Sequence, residues 1–474
     1  MLQPGTQRLI TIVITILFTA TLTQLCAQEK PNIVLVLVDN LGYGELGCYG
    51  GGETRGAPTP RIDKLASEGM RFTNMNMEPQ CTPSRSSLLT GRFSIRSGTY
   101  AVALGGLPDG LTQWEITMGE SFSAAGYSTA YYGKWHLGSH DGRFPTDQGF
   151  DEWYGIPRTT DEAMWPGSTG YSESIMPPEQ IMEGRKGSKS KELKVYDLVQ
   201  RRLIDAEITR RSIAYMEQHA KTKKPFFIFT ALTQAHIPSL ANPTFVGKTG
   251  NGEWADMLAE MDYNVGQLLD AVDRLGISKE TIFIFLSDNG PEYIKPWDGW
   301  AGPWRGQYFT AWEGGIRVPF IIRWPGKVPA GKVTNEIVHG VDIFPTLAKV
   351  VDAKVPNDRP IDGIDMSNFI FGKTDKSGRE GFPIWVDNRL QAVKWRHYKI
   401  HFYDQENMMS PPLKLGIPLL FDLYANPRED PQKPLTASWV AGPIFKMIGE
   451  FEASVRQFPL IPMGMPDPYL PPKK

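Results

Sequence analysis

The sequence predicts an α/β fold in which a central, mostly parallel sheet lies between helices, followed by a small C-terminal α+β subdomain with an antiparallel sheet. Unbroken runs of branched and aromatic residues at 31–38, 224–230 and 281–287 are typical of strands that are buried on both faces. Apolar residues recur at helical spacing over 254–275. Alternation over 391–402 indicates antiparallel strands.

Length and composition fit an ordered globular protein. At 474 residues the chain can hold one large domain with a small appendage. The pattern changes at about residue 379, so we expect a main domain over 28–378 and a subdomain over 379–474. Lysine and arginine total 50 against 52 acidic residues, so no basic excess indicates nucleic acid as a partner.

The first 27 residues are typical of a secretory signal peptide. They carry a single charge, Arg8, followed by an apolar run over 9–25 that ends beside Ala27. Two alternatives are an uncleaved anchor, because the run approaches the length of a membrane span, and a lipid anchor on Cys26. We expect cleavage after Ala27, which gives an exported protein, periplasmic or secreted, without a stable membrane partner.

The run at 31–38 is predicted to form a central parallel strand, and Asp39 and Asn40 follow it directly. Ligands of open α/β sheets gather at the carboxyl ends of such strands, so both residues are candidate site residues. The simpler alternative is an Asx turn beside the glycines that follow. Farther along, Thr59 and Pro60 begin a pattern that favours a short structural helix.

The most informative stretch runs from Cys81 to Gly91 and reads C-T-P-S-R-S-S-L-L-T-G. Cys81 stands directly before a Pro-Ser-Arg turn and a helix-like run, so we expect it at a helix N-terminus, a position that suits an anion. Once the leader is removed, Cys48 and Cys81 remain, and the cysteine count alone favours a disulfide between them. A structural bridge, however, requires neither Pro83 nor Arg85.

This stretch resembles the C-x-P-S-R-x-x-x-L-T-G signature of the type I, formylglycine-dependent sulfatases, with every fixed position matched. The resemblance implies an alkaline-phosphatase-like sandwich and arylsulfatase-like hydrolysis of sulfate monoesters. It also implies that a formylglycine-generating or maturase enzyme oxidises Cys81 to formylglycine, and that the hydrate of this aldehyde is the nucleophile. The implied substrate is a sulfated small molecule or glycan.

Lys134 and His136 lie at the end of a further predicted strand. Taken singly, a surface lysine and a hydrogen-bonded core histidine are the simpler interpretations. The segment is similar to the second sulfatase signature, although Tyr132 occupies a position where a smaller residue is usual. The resemblance implies that Lys134 and Arg85 hold the negative charge of the sulfate and that His136 is a catalytic base. It also implies that His236, which follows the apolar run at 224–230, protonates the leaving oxygen.

The chain from 155 to about 190 has little periodicity, and we expect loops over the mouth of the site there. Thr159, within this region, matches a position where sulfatases carry a hydroxyl group near the sulfate. A helix is predicted from about 196 to 218, and its charged residues are most simply a solvated face.

The run at 281–287 ends in Asp288 and Asn289, which repeats the arrangement of Asp39 and Asn40. Two strands that end in this way can bring four side-chain oxygens to one edge of the sheet, which suits a hard divalent cation. The resemblance implies that these four residues and the formylglycine at position 81 bind Ca²⁺, with Mg²⁺ as the alternative. The family usually has Asp at the position of Asn40, so this chain carries one negative charge fewer there.

The segment 302–315 resembles a sulfatase segment that normally carries a sulfate-binding lysine. Counting back from the Glu-Gly-Gly at its end, that lysine falls at Tyr308. Arg305 is the nearest residue that could replace its charge. The Pro-Trp-Arg-Gly-x-Tyr-Phe-Thr pattern is similar to a bacterial arylsulfatase subgroup, which favours variation among active enzymes.

Two other functions fit the same residues. A phosphomonoester or phosphonate ester hydrolase shares the implied fold. A non-catalytic sulfated-glycan-binding protein would account for the missing lysine and for Asn40. The presence of Cys81, Arg85, Lys134 and both histidines favours the sulfatase.

Overall fold

The computed structural model describes residues 30–103, 110–432 and 435–471. The predicted signal peptide lies outside these residues. Within them, none of the helices combines the length and the apolar character that a membrane crossing requires. The described residues form one large mixed sheet with helices on both faces, a smaller four-stranded antiparallel sheet and a two-stranded sheet.

The large sheet is mostly parallel at its centre. The strands of the described residues are β1 (Asn32–Val38), β2 (Met70–Asn76), β3 (Ser128–Lys134), β4 (Glu152–Ile156), β5 (Gln180–Arg185), β6 (Lys191–Val195), β7 (Phe226–Leu232), β8 (Thr281–Ser287), β9 (Tyr293–Ile294), β10 (Trp297–Asp298), β11 (Arg317–Arg323), β12 (Lys332–Thr334), β13 (Val338–His339), β14 (Gly381–Val386), β15 (Arg389–Trp395), β16 (Tyr398–Asp404) and β17 (Leu413–Asp422). The order across the large sheet is β12-β2-β11-β8-β1-β7-β3-β4-β5-β6, and β13 also pairs with β2. The central strands β8, β1, β7, β3 and β4 are parallel, which confirms the predicted sheet.

Helices cover both faces of this sheet. The α-helices of the described residues are α1 (Pro60–Glu68), α2 (Cys81–Thr90), α3 (Ser94–Ser97), α4 (Met118–Ala124), α5 (Leu198–Thr222), α6 (Glu253–Arg274), α7 (Glu313–Ile316), α8 (Ile343–Val351), α9 (Ser367–Ile370) and α10 (Ala441–Gln457). The odd-numbered residues of β1 pack in one apolar core with α2, α4 and α8, and the even-numbered residues pack in a second core with α1, α5 and α6. Because both faces of β1 are buried, its apolar run is unbroken.

The C-terminal sheet is antiparallel, in the order β14-β15-β16-β17, and α10 packs on it. Buried ion pairs join it to the main domain. Glu313, at the start of α7, lies 2.7 Å from Nζ of Lys394 and 3.1 Å from Nζ of Lys399. Lys399 also lies 3.0 Å from Glu429. β14 begins close after the boundary expected at residue 379, which stays a prediction.

Two expectations are corrected. Loops are predicted up to about residue 190, but β5 lies within that region. It pairs with β4 and β6 near one edge of the sheet, where a strand needs no continuous apolar run. The charged residues of α5 are predicted to be solvated, but Arg201 and Asp205 are buried because they bind the backbone of the loop after β7.

Candidate active site

Two strand ends lie side by side at one edge of the large sheet. β1 and β8 pair with Val38 opposite Ser287, so the residues that follow them meet. The backbone N–H of Asn40 donates to Oδ1 of Asp288 at 2.9 Å. Nδ2 of Asn289 donates to Oδ1 of Asn40 at 2.6 Å. The structure therefore brings together the two Asp-Asn pairs that the sequence singles out.

Cys81 is the first residue of α2, as the sequence predicts, and its side chain is buried. Its Sγ lies 3.5 Å from Oδ1 of Asn40 and 3.9 Å from Oη of Tyr308. The N-cap residue, Gln80, makes no capping hydrogen bond with its side chain, so the start of α2 suits an anionic ligand. Cys48 and Cys81 are both free thiols, which excludes the disulfide alternative.

Two buried cations, Arg85 and Lys134, connect α2 to both strand ends. Nε and Nη2 of Arg85 donate to Oδ2 of Asp288 at 3.1 and 2.8 Å, and Nη1 donates to the backbone oxygen of Lys134 at 2.6 Å. Nζ of Lys134 donates to Oδ2 of Asp39 at 2.6 Å. Each cation pairs with a carboxylate, so these four side chains are balanced in charge.

The two carboxyl groups respond differently to these surroundings. Burial opposes the ionisation of Asp39, but the charges of Lys134, His236 and Arg85 outweigh burial and hold the pKa of Asp39 below its ordinary value. Burial, together with the negative charge of Asp39, raises the pKa of Asp288 to about 6. A cation bound between the two groups would stabilise both charged forms.

The ring of His136 places a potential proton acceptor, its Nδ1 atom, next to α2. Its Nε2 lies 3.0 Å from the backbone oxygen of Ala103. Burial, together with the charges of Lys134 and Arg85, holds the pKa of His136 well below its ordinary value, so the ring is neutral. A neutral ring that donates through Nε2 has its lone pair on Nδ1, and Nδ1 has no hydrogen-bond partner among the described residues. Oγ1 of Thr82 donates to the backbone oxygen of His136 at 2.9 Å, which ties this residue to α2.

His236 and Thr159 complete the cluster. Nδ1 of His236 lies 2.8 Å from the backbone oxygen of the next residue, and Nε2 lies 3.3 Å from Oγ1 of Thr159. Oγ1 of Thr159 also lies 3.4 Å from Nζ of Lys134. One ligand atom from each of Asp39, Cys81 and His236 lies within 4.8 Å of the other two. The structure thus brings both predicted residues to the start of α2.

Sequence reasoning missed the residues that hold His236 in position. Oε2 of Glu292 lies 3.8 Å from Nδ1 of His236. From α5, Nη2 of Arg201 donates to the backbone oxygen of His236 at 2.9 Å, and Asp205 accepts from the N–H of Thr233 at 2.6 Å. The position of Glu292 shortly after Asn289 is a usable signal. No local pattern distinguishes Arg201 from the other arginines of the same helix, which are partly or largely exposed.

The segment 302–315 differs from expectation at Arg305. Its guanidinium group lies 3.1 Å from the backbone oxygen of Glu429, 3.8 Å from the carboxylate of Asp404 and 3.8 Å from the ring centre of Trp312. These contacts direct Arg305 to the C-terminal sheet, so they do not support its predicted contact with sulfate. The residue of this segment that contacts Cys81 is Tyr308.

Comparison with known proteins identifies the family. A family model described as Sulfatase matches residues 31–353. The chain belongs to the sulfatase family. A second model, described as N-sulphoglucosamine sulphohydrolase, C-terminal, matches residues 307–429 of this sulfatase.

Curated relatives and a solved structure are similar to this sulfatase over most of its length. Arylsulfatase A of Homo sapiens is 35% identical over an alignment of 438 residues that covers 86% of this chain and 84% of that protein. Steryl-sulfatase of Homo sapiens is 30% identical over an alignment of 505 residues that covers 86% of this chain and 85% of that protein. The crystal structure of the PsFucS1 sulfatase from Pseudoalteromonas sp. matches with a TM-score of 0.86 and 30% identity, covering 98% of this chain and 97% of that one.

This sulfatase hydrolyses sulfate esters, as its sequence predicts. Phosphate ester hydrolysis and non-catalytic glycan binding are not favoured by its relatives. The alkaline-phosphatase-like fold expected from the resemblance is confirmed. Membership of the family also implies a metal ion, a formylglycine residue and a sulfated substrate.

Proposed function

We propose that this sulfatase cleaves its ester at residue 81, after Cys81 has been oxidised to formylglycine. One arrangement supports the proposal most: Sγ of Cys81 lies at the start of α2, with ligand atoms of Asp39 and His236 within 4.8 Å. Burial raises the pKa of the Cys81 thiol well above its ordinary value, so the unmodified side chain is a poor nucleophile. Hydrated formylglycine would supply a hydroxyl nucleophile for attack on sulfur.

We assign a divalent cation to Asp39, Asn40, Asp288, Asn289 and residue 81, with Ca²⁺ ahead of Mg²⁺ on the family resemblance. Oδ1 of Asp39 and Oδ1 of Asn289 are buried and find no hydrogen-bond donor among the described residues. A buried acceptor in that state is costly, and a cation would satisfy it. Carboxylate and amide oxygens are also the ligands that both ions prefer. The bound cation would stabilise negative charge on the sulfate oxygens.

Arg85 and Lys134 are assigned to the sulfate group itself. Both side chains are fully buried, so their charges act in a medium of lower effective dielectric constant than water. Their hydrogen bonds to Asp288 and Asp39 hold them in place before the substrate arrives, and such preorganised donors stabilise developing negative charge effectively. Thr159, 3.4 Å from Nζ of Lys134, adds a neutral hydroxyl at the same place.

The two histidines are assigned opposite proton transfers. His236 protonates the leaving oxygen as the S–O bond breaks, because Nδ1 is engaged with its own loop and Nε2 is the ring nitrogen left for the substrate. His136 accepts a proton through Nδ1 in the later step that releases sulfate and restores residue 81. Its neutral ring and unpartnered Nδ1 fit this role.

The substrate class, the maturation enzyme and the location of the mature protein are proposed from the sequence. The substrate is a sulfated small molecule, such as an aryl ester, or a sulfated glycan. A formylglycine-generating or maturase enzyme must act on Cys81 during biosynthesis. Cleavage after Ala27 would release the mature protein to the periplasm or the medium.

Peptide mass spectrometry and turnover test the assignment together. The active protein is digested, the peptide that contains residue 81 is analysed for conversion of the thiol to the aldehyde, and hydrolysis of 4-nitrophenyl sulfate is measured with and without chelator. Cys81→Ala is expected to abolish turnover, whereas Cys48→Ala, the matched change at the other free thiol, should retain it. Full activity with an intact thiol at residue 81 would contradict the proposal.

A further inference from the structure

Tyr308 brings a phenol hydroxyl to the residue on which the proposed reaction depends. Its Oη lies 3.9 Å from Sγ of Cys81, and its side chain is buried. Oδ1 of Asn40 contacts the same sulfur atom at 3.5 Å. Both contacts come from side chains that carry no charge at neutral pH.

Backbone hydrogen bonds fix Tyr308 from two sides. Its N–H donates to the backbone oxygen of Pro291 at 2.8 Å. The N–H of the next residue, Phe309, donates to the backbone oxygen of Pro79, also at 2.8 Å. Because Pro291 follows the end of β8 and Pro79 precedes α2, the phenol is held between the two elements that form the site. A group positioned in this way is preorganised for a ligand.

The two cations near Cys81 are already paired with carboxylates. Arg85 lies 2.8 Å from Asp288, and Lys134 lies 2.6 Å from Asp39. Tyr308 adds a hydrogen-bond donor without adding a charge, since a phenol ionises only at about pH 10. An ester bound at residue 81 therefore meets one neutral donor in addition to the two paired cations.

We propose that the Tyr308 hydroxyl donates a hydrogen bond to an oxygen of the bound sulfate, and that this neutral donor, in the place of a cation, shifts the selectivity of the site toward monoanionic sulfate esters and away from dianionic phosphate esters. The inference rests on the proposed function, because it requires the ester to bind beside residue 81. It names Tyr308 as a specificity-determining residue, and it differs from the prediction that a nearby arginine replaces the missing charge.

Charge explains the selectivity. At pH 8 a sulfate monoester carries one negative charge and the phosphate monoester of the same alcohol carries about two. A cation at residue 308 would attract the additional charge. At a separation of about 5 Å and an effective dielectric constant of about 20, one additional pair of unit charges favours binding by about 3 kcal/mol, which is a few hundredfold. A neutral phenol gives the dianion no such advantage.

Binding to a non-reacting protein tests the inference without relying on turnover. In the metal-loaded Cys81→Ala background at pH 8, calorimetry would measure the affinities of 4-nitrophenyl sulfate, 4-nitrophenyl phosphate and 4-nitrophenyl methylphosphonate. The phosphonate is the charge control, because it is a phosphorus ester with a single negative charge. We expect Tyr308→Lys to raise the affinity for phosphate at least about tenfold relative to both monoanions.

Tyr308→Phe tests the hydrogen bond separately. It preserves the ring and should weaken binding of all three esters by a similar factor, about three- to tenfold, because one donor is lost. Tyr293→Phe is the matched control, since its hydroxyl lies 3.2 Å from the backbone oxygen of Gly306 in an exposed position. It should leave the three affinities unchanged. If Tyr308→Lys does not fold, as judged by thermal denaturation, Tyr308→Arg, which places the same charge at that position, is measured instead.

Two outcomes would overturn the inference. One is a Tyr308→Phe protein that binds all three esters as the parent does. The other is a folded Tyr308→Lys protein in which the affinities for sulfate, phosphonate and phosphate change by the same factor. Failure of the proposed function looks different: the enzyme with Cys81 intact would then show no metal-dependent sulfate ester turnover, whatever stands at residue 308.

Discussion

Replacement of His236 by asparagine separates acid catalysis from positioning. Nδ1 of His236 lies 2.8 Å from the backbone oxygen of Ile237, and the Asn amide can still donate there. Nε2, which lies 3.3 Å from Thr159, has no counterpart in Asn. The variant therefore keeps the local hydrogen bond and loses the proton donor for the leaving oxygen.

The size of the effect depends on the leaving group. A positioned general acid contributes about 10²- to 10⁴-fold, which corresponds to about 3 to 5 kcal/mol of transition-state stabilisation. We expect the His236→Asn variant to lose this factor in kcat/KM with alkyl sulfates, whose leaving alkoxide needs the proton. With 4-nitrophenyl sulfate, whose leaving phenolate is stable, the loss should be about tenfold or less.

The assay is a series of aryl and alkyl sulfates with leaving groups of increasing pKa. A plot of log kcat/KM against leaving-group pKa should be steeper for His236→Asn than for the wild type. His219→Asn, at a buried histidine of α5 that bonds its own helix backbone, is the control for the substitution itself. A uniform loss across the series would refute the assignment of His236 as the acid.

Three further perturbations test the rest of the reasoning. Burial raises the pKa of Glu260 from 4.5 to about 8, so its carboxylate destabilises the fold increasingly as the pH rises from 4.5 to 8. Glu260→Gln should therefore raise the free energy of unfolding by a few kcal/mol at pH 8 and change it little at pH 5. Urea titrations at both pH values would measure the difference. Glu313→Gln should destabilise the protein by about 3 to 5 kcal/mol in the same assay, because Lys394 loses its buried carboxylate partner and Lys399 keeps only Glu429. An unchanged midpoint would show that the network contributes nothing. Chelation should lower the thermal midpoint and abolish turnover, and added Ca²⁺ should restore both. The Asn289→Ala variant should require more Ca²⁺ than the wild type for the same recovery. Equal Ca²⁺ dependence of the variant and the wild type would remove Asn289 from the metal site.

The sequence predicted the central strands and the site residues at their ends for one physical reason. Strands buried on both faces need continuous apolar runs, and β1 and β8 have them. Parallel neighbours end at the same edge of the sheet, so Asp39 and Asp288 had to meet once both strands were placed side by side. Two local sequence patterns can therefore predict a contact between residues far apart in the chain when both patterns end at the same edge of a sheet.

The elements that sequence reasoning missed lack such a local constraint. β6 is exposed along its whole length, and β5 is only partly buried, so neither presents an unbroken apolar run. The pairing of β5 with β4 and of β6 with β5 depends on main-chain hydrogen bonds, which any sequence can supply. Arg305 illustrates the converse: its charge suited the site, but its partners on the C-terminal sheet lie about a hundred residues away in sequence, in contacts that no local pattern specifies.

Arg201 and Tyr308 show why the function of a residue can be hidden even when its neighbours are predicted correctly. The charge of Arg201 suggested solvent, but three backbone oxygens after β7 are hydrogen-bonded by its guanidinium group, among them that of His236. A loop that presents a proton donor must have its own carbonyl groups satisfied, and a buried arginine can satisfy several at once. Tyr308 suggested a lost cation, but the phenol in that place contacts Sγ of Cys81, and the two cations near Cys81 are already paired with carboxylates. In both cases the residue type alone does not show the role of the side chain. The role of a buried side chain depends on which neighbouring groups need a hydrogen bond or a charge, and those neighbours are known only after the chain has folded.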